Sequence, residues 1–160
     1  MTVRRTLVLT GAITACALVF AAAYYAAVPE NNPAPAVVGT SEVQPHIVHI
    51  AGETLYVDVA QTPAERQQGL SGRDLLLPGT GMLFVFPEEG KYPFWMKDMR
   101  FPIDIIWLGG NGRVVGFWKD ATPSSYPRHY APEAPAQYVL EVPAGFVRAH
   151  GVAVGETAVF

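Results

Sequence analysis

Glycine and proline cut this chain into short pieces, and that punctuation limits the fold more than any other feature. Fifteen glycines and fourteen prolines are spread over 160 residues, and beyond residue 45 they bound apolar runs of only five to eight residues. Runs that short, closed by residues that turn the chain or break a helix, read as strands. Residues Glu53–Ala60 alternate, with Leu55, Val57 and Val59 on one side and Thr54, Tyr56 and Asp58 on the other. That is a period of two with one half-buried face. Gly81–Phe86 is denser in apolar side chains and reads as a more central strand. Ile103–Leu108 and Arg113–Lys119 flank Gly109-Gly110-Asn111-Gly112, the clearest hairpin in the chain. Gln137–Val142 and Glu156–Phe160 supply two more strands. The expectation is a mainly β domain, a small compact β-barrel or sandwich-like fold rather than alternating β and α units.

Two short helices complete this reading. Thr62 can cap a helix, Pro63 suits its first position, and Glu65 stands where a capping box places its acid. That helix ends near Gly69–Gly72. A second is expected from Ala144 to His150, stopped by Gly151.

The N-terminal residues have a different character. Arg4 and Arg5 precede an apolar run from Leu7 to Val28, 22 residues that would rise about 33 Å as a helix. Three readings of residues 1–28 stand side by side: a retained transmembrane signal-anchor, a cleaved signal peptide, and a lipoprotein signal in which Ile13-Thr14-Ala15-Cys16 is the lipobox. Each puts residues 29–160 outside the cytoplasm, in the cell envelope, anchored in the cytoplasmic membrane or else secreted or lipid-anchored. Residues 29–45, with Pro29, Pro33, Pro35 and Pro45, read as a tether. Residues 46–160 suit one compact domain. Cys16 is the sole cysteine, so that domain has no disulfide and no thiol nucleophile. From residue 29 onward nine Lys and Arg face fourteen Asp and Glu. That acidic balance disfavours nucleic acid as a partner.

Several separated motifs then carry a resemblance. Thr62-Pro63-Ala64-Glu65-Arg66-Gln67-Gln68-Gly69-Leu70 is followed by Gly81-Met82-Leu83-Phe84-Val85-Phe86, by Phe94-Trp95-Met96-Lys97-Asp98-Met99, and by Pro102-Ile103-Asp104-Ile105-Ile106. Gly112-Arg113-Val114-Val115, Ala136-Gln137-Tyr138-Val139-Leu140-Glu141-Val142-Pro143 and Gly155-Glu156 continue the series. In order and spacing these resemble the domain-of-unknown-function 192 family of bacteria and archaea, over roughly residues 47–160. The resemblance implies a compact, mainly β domain, often exported, and supplies no reaction, substrate or cofactor. Ser71-Gly72 before Arg73, and Asp98, depart mildly from the family's usual residues.

Five residues are the candidate ligand-binding set: Arg73, Trp95, Lys97, Asp98 and Asp104. Asp104 lies in a strand whose two faces are both apolar, so its carboxylate needs a charged partner or hydrogen bonds. Lys97 and Arg73 are the candidate partners; backbone amides of a turn are the structural alternative. Trp95 and Lys97 share a face of an extended segment and could wall a shallow pocket, with Arg73 adding a fork of donors. Equally, Trp95 can be core and Lys97 can snorkel to the surface. His46, His49, His129 and His150 show no zinc spacing, and neither a metal nor a cofactor is expected. There is no nucleophile elbow, no phosphate-binding loop and no dinucleotide fingerprint, so no catalytic residue is assigned.

The leading expectation is therefore a membrane-tethered extracytoplasmic binding or accessory module for a small anionic or sugar-like ligand, more a binder than an enzyme. A small hydrolase using Asp104 with Lys97 or Arg73 is one alternative. A structural envelope protein acting through protein partners is the other.

Overall fold

The computed structural model describes residues 46–160. The signal-anchor, cleaved-signal and lipobox readings and the tether all lie outside these residues. The domain opens with β1 (His46–Ile50) and β2 (Glu53–Ala60), an antiparallel pair in which Ile50 stands opposite Glu53. The loop between them is only Ala51-Gly52, and both residues have positive φ, 53° and 77°. A two-residue hairpin loop of this kind matches the right-handed twist of the strands. The sequence alternation holds in β2 as far as Asp58: Leu55 and Val57 are buried and Thr54, Tyr56 and Asp58 are exposed, whereas Val59 is half-buried and Ala60 is buried on the other face.

Helix α1 (Pro63–Gln68) follows, with the expected capping box complete. The Glu65 amide donates to Thr62 Oγ1 at 3.2 Å, and the Thr62 amide donates to Glu65 Oε2 at 2.9 Å. These bonds to backbone amides hold the Glu65 carboxyl below its ordinary value. Residues 61–79, which include this helix, form the crossover that lets β3 (Thr80–Gly90) enter parallel to β2. After β4 (Phe94–Trp95) come β5 (Ile103–Leu108) and β6 (Val114–Ala121), the hairpin read from the glycine cluster. A 3₁₀ turn at Pro123–Ser125, β7 (His129–Tyr130), β8 (Ala136–Pro143) and α2 (Phe146–Ala149) complete the elements.

Six strands form one mixed sheet in the order β1-β2-β3-β8-β5-β6, and β4 pairs with β7 in a separate two-stranded sheet. The barrel or sandwich expectation is corrected here. The β1 and β6 edges do not pair with each other; the C-terminal tail touches β1 and the β6 entry through two isolated bridges, His49 with Val159 and Arg113 with Thr157. The strand expected at Glu156–Phe160 is reduced to those bridges. The physical reason lies in the core. One apolar cluster on the first face gathers Val48, Leu55, Ile106, Leu140 and Val142 under Phe146 and Val147 of α2. A second, on the opposite face, gathers Met82, Phe84, Ile105, Trp107 and Val139 under Leu70, Met96 and Tyr130. A small barrel has one packed interior, whereas this sheet is covered on both sides. Every residue of β5 is buried, as expected of a strand between two layers.

Candidate functional site

Register places Asp104 and Glu141 on adjacent strands but on opposite faces. Asp104 of β5 stands opposite Val142 of β8, while Ile105 stands opposite Glu141. Asp104 is fully buried on the α2 side. Its Oδ1 accepts from the Asp120 amide at 2.8 Å, and its Oδ2 accepts from the Val147 amide at 2.8 Å. The carboxylate thus ties the end of β6 to the first turn of α2. This is the structural alternative foreseen for it, and neither Lys97 nor Arg73 is its partner.

Trp95, Lys97 and Asp98 come together on the other side. They border an open groove with Gln67, Gln68 and Ser71. Ser71 Oγ donates to the Lys97 carbonyl at 2.8 Å, and the Gly72 amide donates to the Asp98 carbonyl at 2.9 Å. Asp98 holds a positive φ of 55°, a conformation that Asp tolerates better than most residues. Arg73 leaves this group: its Nη2 lies 2.7 Å from Asp58 Oδ2. The five candidates therefore do not share one pocket. Three line a groove, Arg73 is paired beside it, and Asp104 sits beneath the opposite face.

The residue that sequence reasoning missed is Glu141. It lies in β8 between Met82 of β3 and Ile105 of β5 and is only 4% exposed. Among the described residues no sealed side-chain oxygen or nitrogen lacks a partner. The Glu141 carboxyl has no hydrogen-bond partner among them, so its oxygens meet the cavity it lines. Burial pushes this carboxyl up to about 8, against the opposing pull of the Arg73 guanidinium. At neutral pH Glu141 therefore carries its proton. The available signal was the alternation of Gln137–Val142, which puts an acid on the same side as Val139 in a strand of apolar neighbours. Nothing local to that strand says what lies across it.

The cavity holds about 260 Å³ and joins the outer groove through Gln67, Gln68, Ser71 and Trp95, which line both. Phe84, Phe86, Tyr92, Phe94, Trp95 and Met99 make its walls. Phe86 and Tyr92 stack at 3.6 Å, Phe94 meets Phe84 edge-on at 4.8 Å, and Arg66 sits 5.0 Å from the Phe86 ring centre. Arg66 also donates to the Val85 carbonyl at 2.9 Å, and Tyr92 Oη donates to the Glu88 carbonyl at 2.8 Å. Each ring is thus held by its neighbours, which makes the cavity preformed. Chemically it offers one proton-bearing carboxyl in an apolar, aromatic setting, with amides and a hydroxyl at its mouth. No group of three or more His, Cys, Asp or Glu side chains gathers for a metal among the described residues.

Fold and cavity together define a mixed-sheet domain with a buried acid facing an aromatic pocket. The model of the DUF192 family, described as uncharacterized ACR, matches residues 46–160, and the chain belongs to that family. A UPF0127 protein of Pyrococcus furiosus is 36% identical over 77 residues, covering 47% of this chain and 63% of its own. A UPF0127 protein of Thermococcus gammatolerans is 33% identical over 105 residues, covering 63% of each chain. The chain thus spans less than two thirds of the length of these curated relatives. Among crystal structures, a protein of unknown function from Novosphingobium aromaticivorans matches with a TM-score of 0.70 and 28% identity, over 81% of this chain and 94% of that one. A candidate transcription regulator from Sinorhizobium meliloti matches with a TM-score of 0.66 and 33% identity, over 71% and 91%.

These likenesses correct the expected role. The fold fills nearly the whole of two crystallised chains, one of them described as a regulator, so it is not the mark of a membrane-tethered envelope module. The membrane partner and the envelope localisation fall with that reading. Among the described residues no helix is long and apolar enough to cross a membrane, and the run that suggested an anchor lies outside them.

Proposed function

We propose that this domain is a small hydrolase in which Glu141 is the general acid. The observation that carries the reading is the unpaired, buried Glu141 carboxyl opening on the aromatic cavity. The hydrolase alternative drawn from the sequence keeps Arg73 but exchanges its carboxyl. Asp104 has both oxygens committed to backbone amides, whereas Glu141 is free to give up a proton. A general acid works best when its pKa lies near the working pH, which a buried glutamate reaches and an exposed one does not.

In this reading the substrate seats an uncharged, apolar group between Phe86, Tyr92, Phe94 and Trp95, with its scissile bond beside Glu141. Water entering from the groove attacks the electrophilic carbon. The bond to the leaving heteroatom breaks, and that atom takes the Glu141 proton. The proton released by the attacking water returns to Glu141, so the residue ends as it began. Arg73 acts on the transient carboxylate only through its charge, from its place on Asp58. The regulator description of the Sinorhizobium relative is not extended to this chain, because its acidic balance opposes contact with phosphates.

The test uses ethyl acetate, a small neutral ester whose alkoxide leaving group needs a proton, and compares the full chain with Glu141→Gln. The expected result is ester cleavage that declines as pH rises through about 8, and a loss of about a hundredfold or more in the variant. Equal rates in the two proteins, or a rate indifferent to pH across that range, would overturn the assignment.

A further inference from the structure

Four residues form one row across the sheet. Asp58 of β2 stands opposite Met82 of β3, Met82 opposite Glu141 of β8, and Glu141 opposite Ile105 of β5. Residues directly opposite in a ladder point to the same face, so all four side chains rise on the cavity side. Adjacent strands lie about 4.8 Å apart, which puts the Asp58 and Glu141 backbones about 10 Å from each other with Met82 between them. Arg73 ends on Asp58, at one end of this row, 2.7 Å away. Among the described residues that is its ion pair, although an unpaired carboxyl waits on the other side of Met82.

We propose that Asp58 is a positioning residue for the acid: it holds the Arg73 guanidinium on the far side of Met82 and so keeps it from pairing with Glu141. The proposal rests on the reading of Glu141 as a proton donor. Its logic is a competition between two carboxyl groups for one cation. Arg73 is 41% exposed and Asp58 59% exposed at their side chains, so the pair contributes little to stability by itself. Its effect falls on Glu141 instead. A guanidinium that moved onto Glu141 would form a charge-assisted pair in a desolvated setting and favour the ionised form. The acid would then lose its proton below neutral pH.

The other groups around Glu141 leave this competition to Asp58 and Arg73. From β3 and β5 the neighbours are Met82 and Ile105, both apolar. On the cavity wall the ionisable groups are Arg66 and Tyr92, and each is already engaged with a backbone carbonyl. The outer groove adds Lys97 and Asp98 beyond Trp95.

The test follows the Glu141 carboxyl carbon by ¹³C NMR through a pH titration, with the signal assigned by its absence in Glu141→Gln. In Asp58→Asn the Glu141 midpoint should fall by about one to three units relative to the unchanged chain. Asp58→Glu, which keeps a carboxylate for Arg73, should stay near the starting value. Adding Arg73→Met to Asp58→Asn should bring the midpoint back up. A midpoint unmoved by Asp58→Asn, or lowered equally with and without Arg73, would overturn the positioning role. The absolute midpoint in the unchanged chain tests something separate: an ordinary carboxylate value there would remove the proton donor, whatever Asp58 does.

Discussion

Asp104 and Glu141 are neighbours across the β5–β8 ladder, offset by one position, and that offset sends them to opposite faces of the same sheet. One carboxyl is held by two backbone amides at 2.8 Å, and the other opens on a cavity with no hydrogen-bond partner among the described residues. Two buried acids from one sheet thus take a structural and a chemical role. The difference is set by which layer covers each face, not by the strands that carry them.

Glu141 should make the domain less stable as pH rises. Its carboxyl is raised from 4.5 to about 8, so between those values the folded state binds a proton that the unfolded state has lost. Stability from this group is full below about pH 4.5 and is lost as pH climbs through about 8, at about 1.4 kcal/mol per pH unit. Urea unfolding at several pH values checks this. The unchanged chain should show that decline, and Glu141→Gln should flatten it and exceed the unchanged chain in alkaline buffer. A parallel decline in both would exclude Glu141 as the source.

Asp104→Ala should be strongly destabilising without touching the cavity. It strips the Asp120 and Val147 amides of their acceptor, and a cost of about 3 kcal/mol or more follows from two lost charge-assisted bonds. Thermal unfolding measures the loss. Amide exchange should quicken first at Asp120 and Val147, and uniform exchange across the sheet would argue against this picture.

Gly81→Ala should push β3 away from β8. A Cβ built on Gly81 would lie 2.7 Å from the Glu141 carbonyl oxygen, which is backbone and cannot turn aside. Overpacking of that kind costs about 1–3 kcal/mol. The expected sign is a lowered melting temperature with faster amide exchange along Met82–Val85. An unchanged melting temperature would mean the two strands have slack that their spacing does not suggest.

Thr62→Ala should loosen α1 by about 1 kcal/mol through loss of the cap. Because α1 supplies Gln67 and Gln68 to the cavity mouth, cleavage of a small ester should weaken along with stability. Acid should mimic the mutation. The Glu65 carboxyl is held low in the fold, so its share of the cap is present above the ordinary carboxylate value and lost as pH falls through the lowered one. Circular dichroism taken below pH 4.5, the carboxyl's ordinary value, should show helix loss in the unchanged chain and no further loss in Glu65→Gln beyond that of the mutation itself.

Much of the local structure was legible in the residues alone. The alternation of Leu55, Val57 and Asp58, the Thr62–Glu65 cap and the glycine cluster at residues 109–112 are short-range signals, and each element they announce is present. The α2 helix stands at Phe146–Ala149, within the stretch where Gly151 marks its end. Barrel closure failed as an expectation because it depends on strand order. The parallel β2–β3 step and the insertion of β8 between β3 and β5 are long-range choices that no single run encodes.

The candidate site divides along the same line. Composition and spacing marked Trp95, Lys97 and Asp98, close in sequence, and the fold keeps them on one groove. Burial of Asp104 was readable from the apolar faces around it. That Asp104 faces α2, that Arg73 ends on Asp58, and that Glu141 lies unpaired beneath an aromatic pocket were decided only by tertiary structure. A strand's own pattern fixes which of its residues share a face. It carries no record of what packs against that face, because the covering residues come from elements far away in the chain, and it is those residues that determine whether a carboxyl is bonded, paired or left holding its proton.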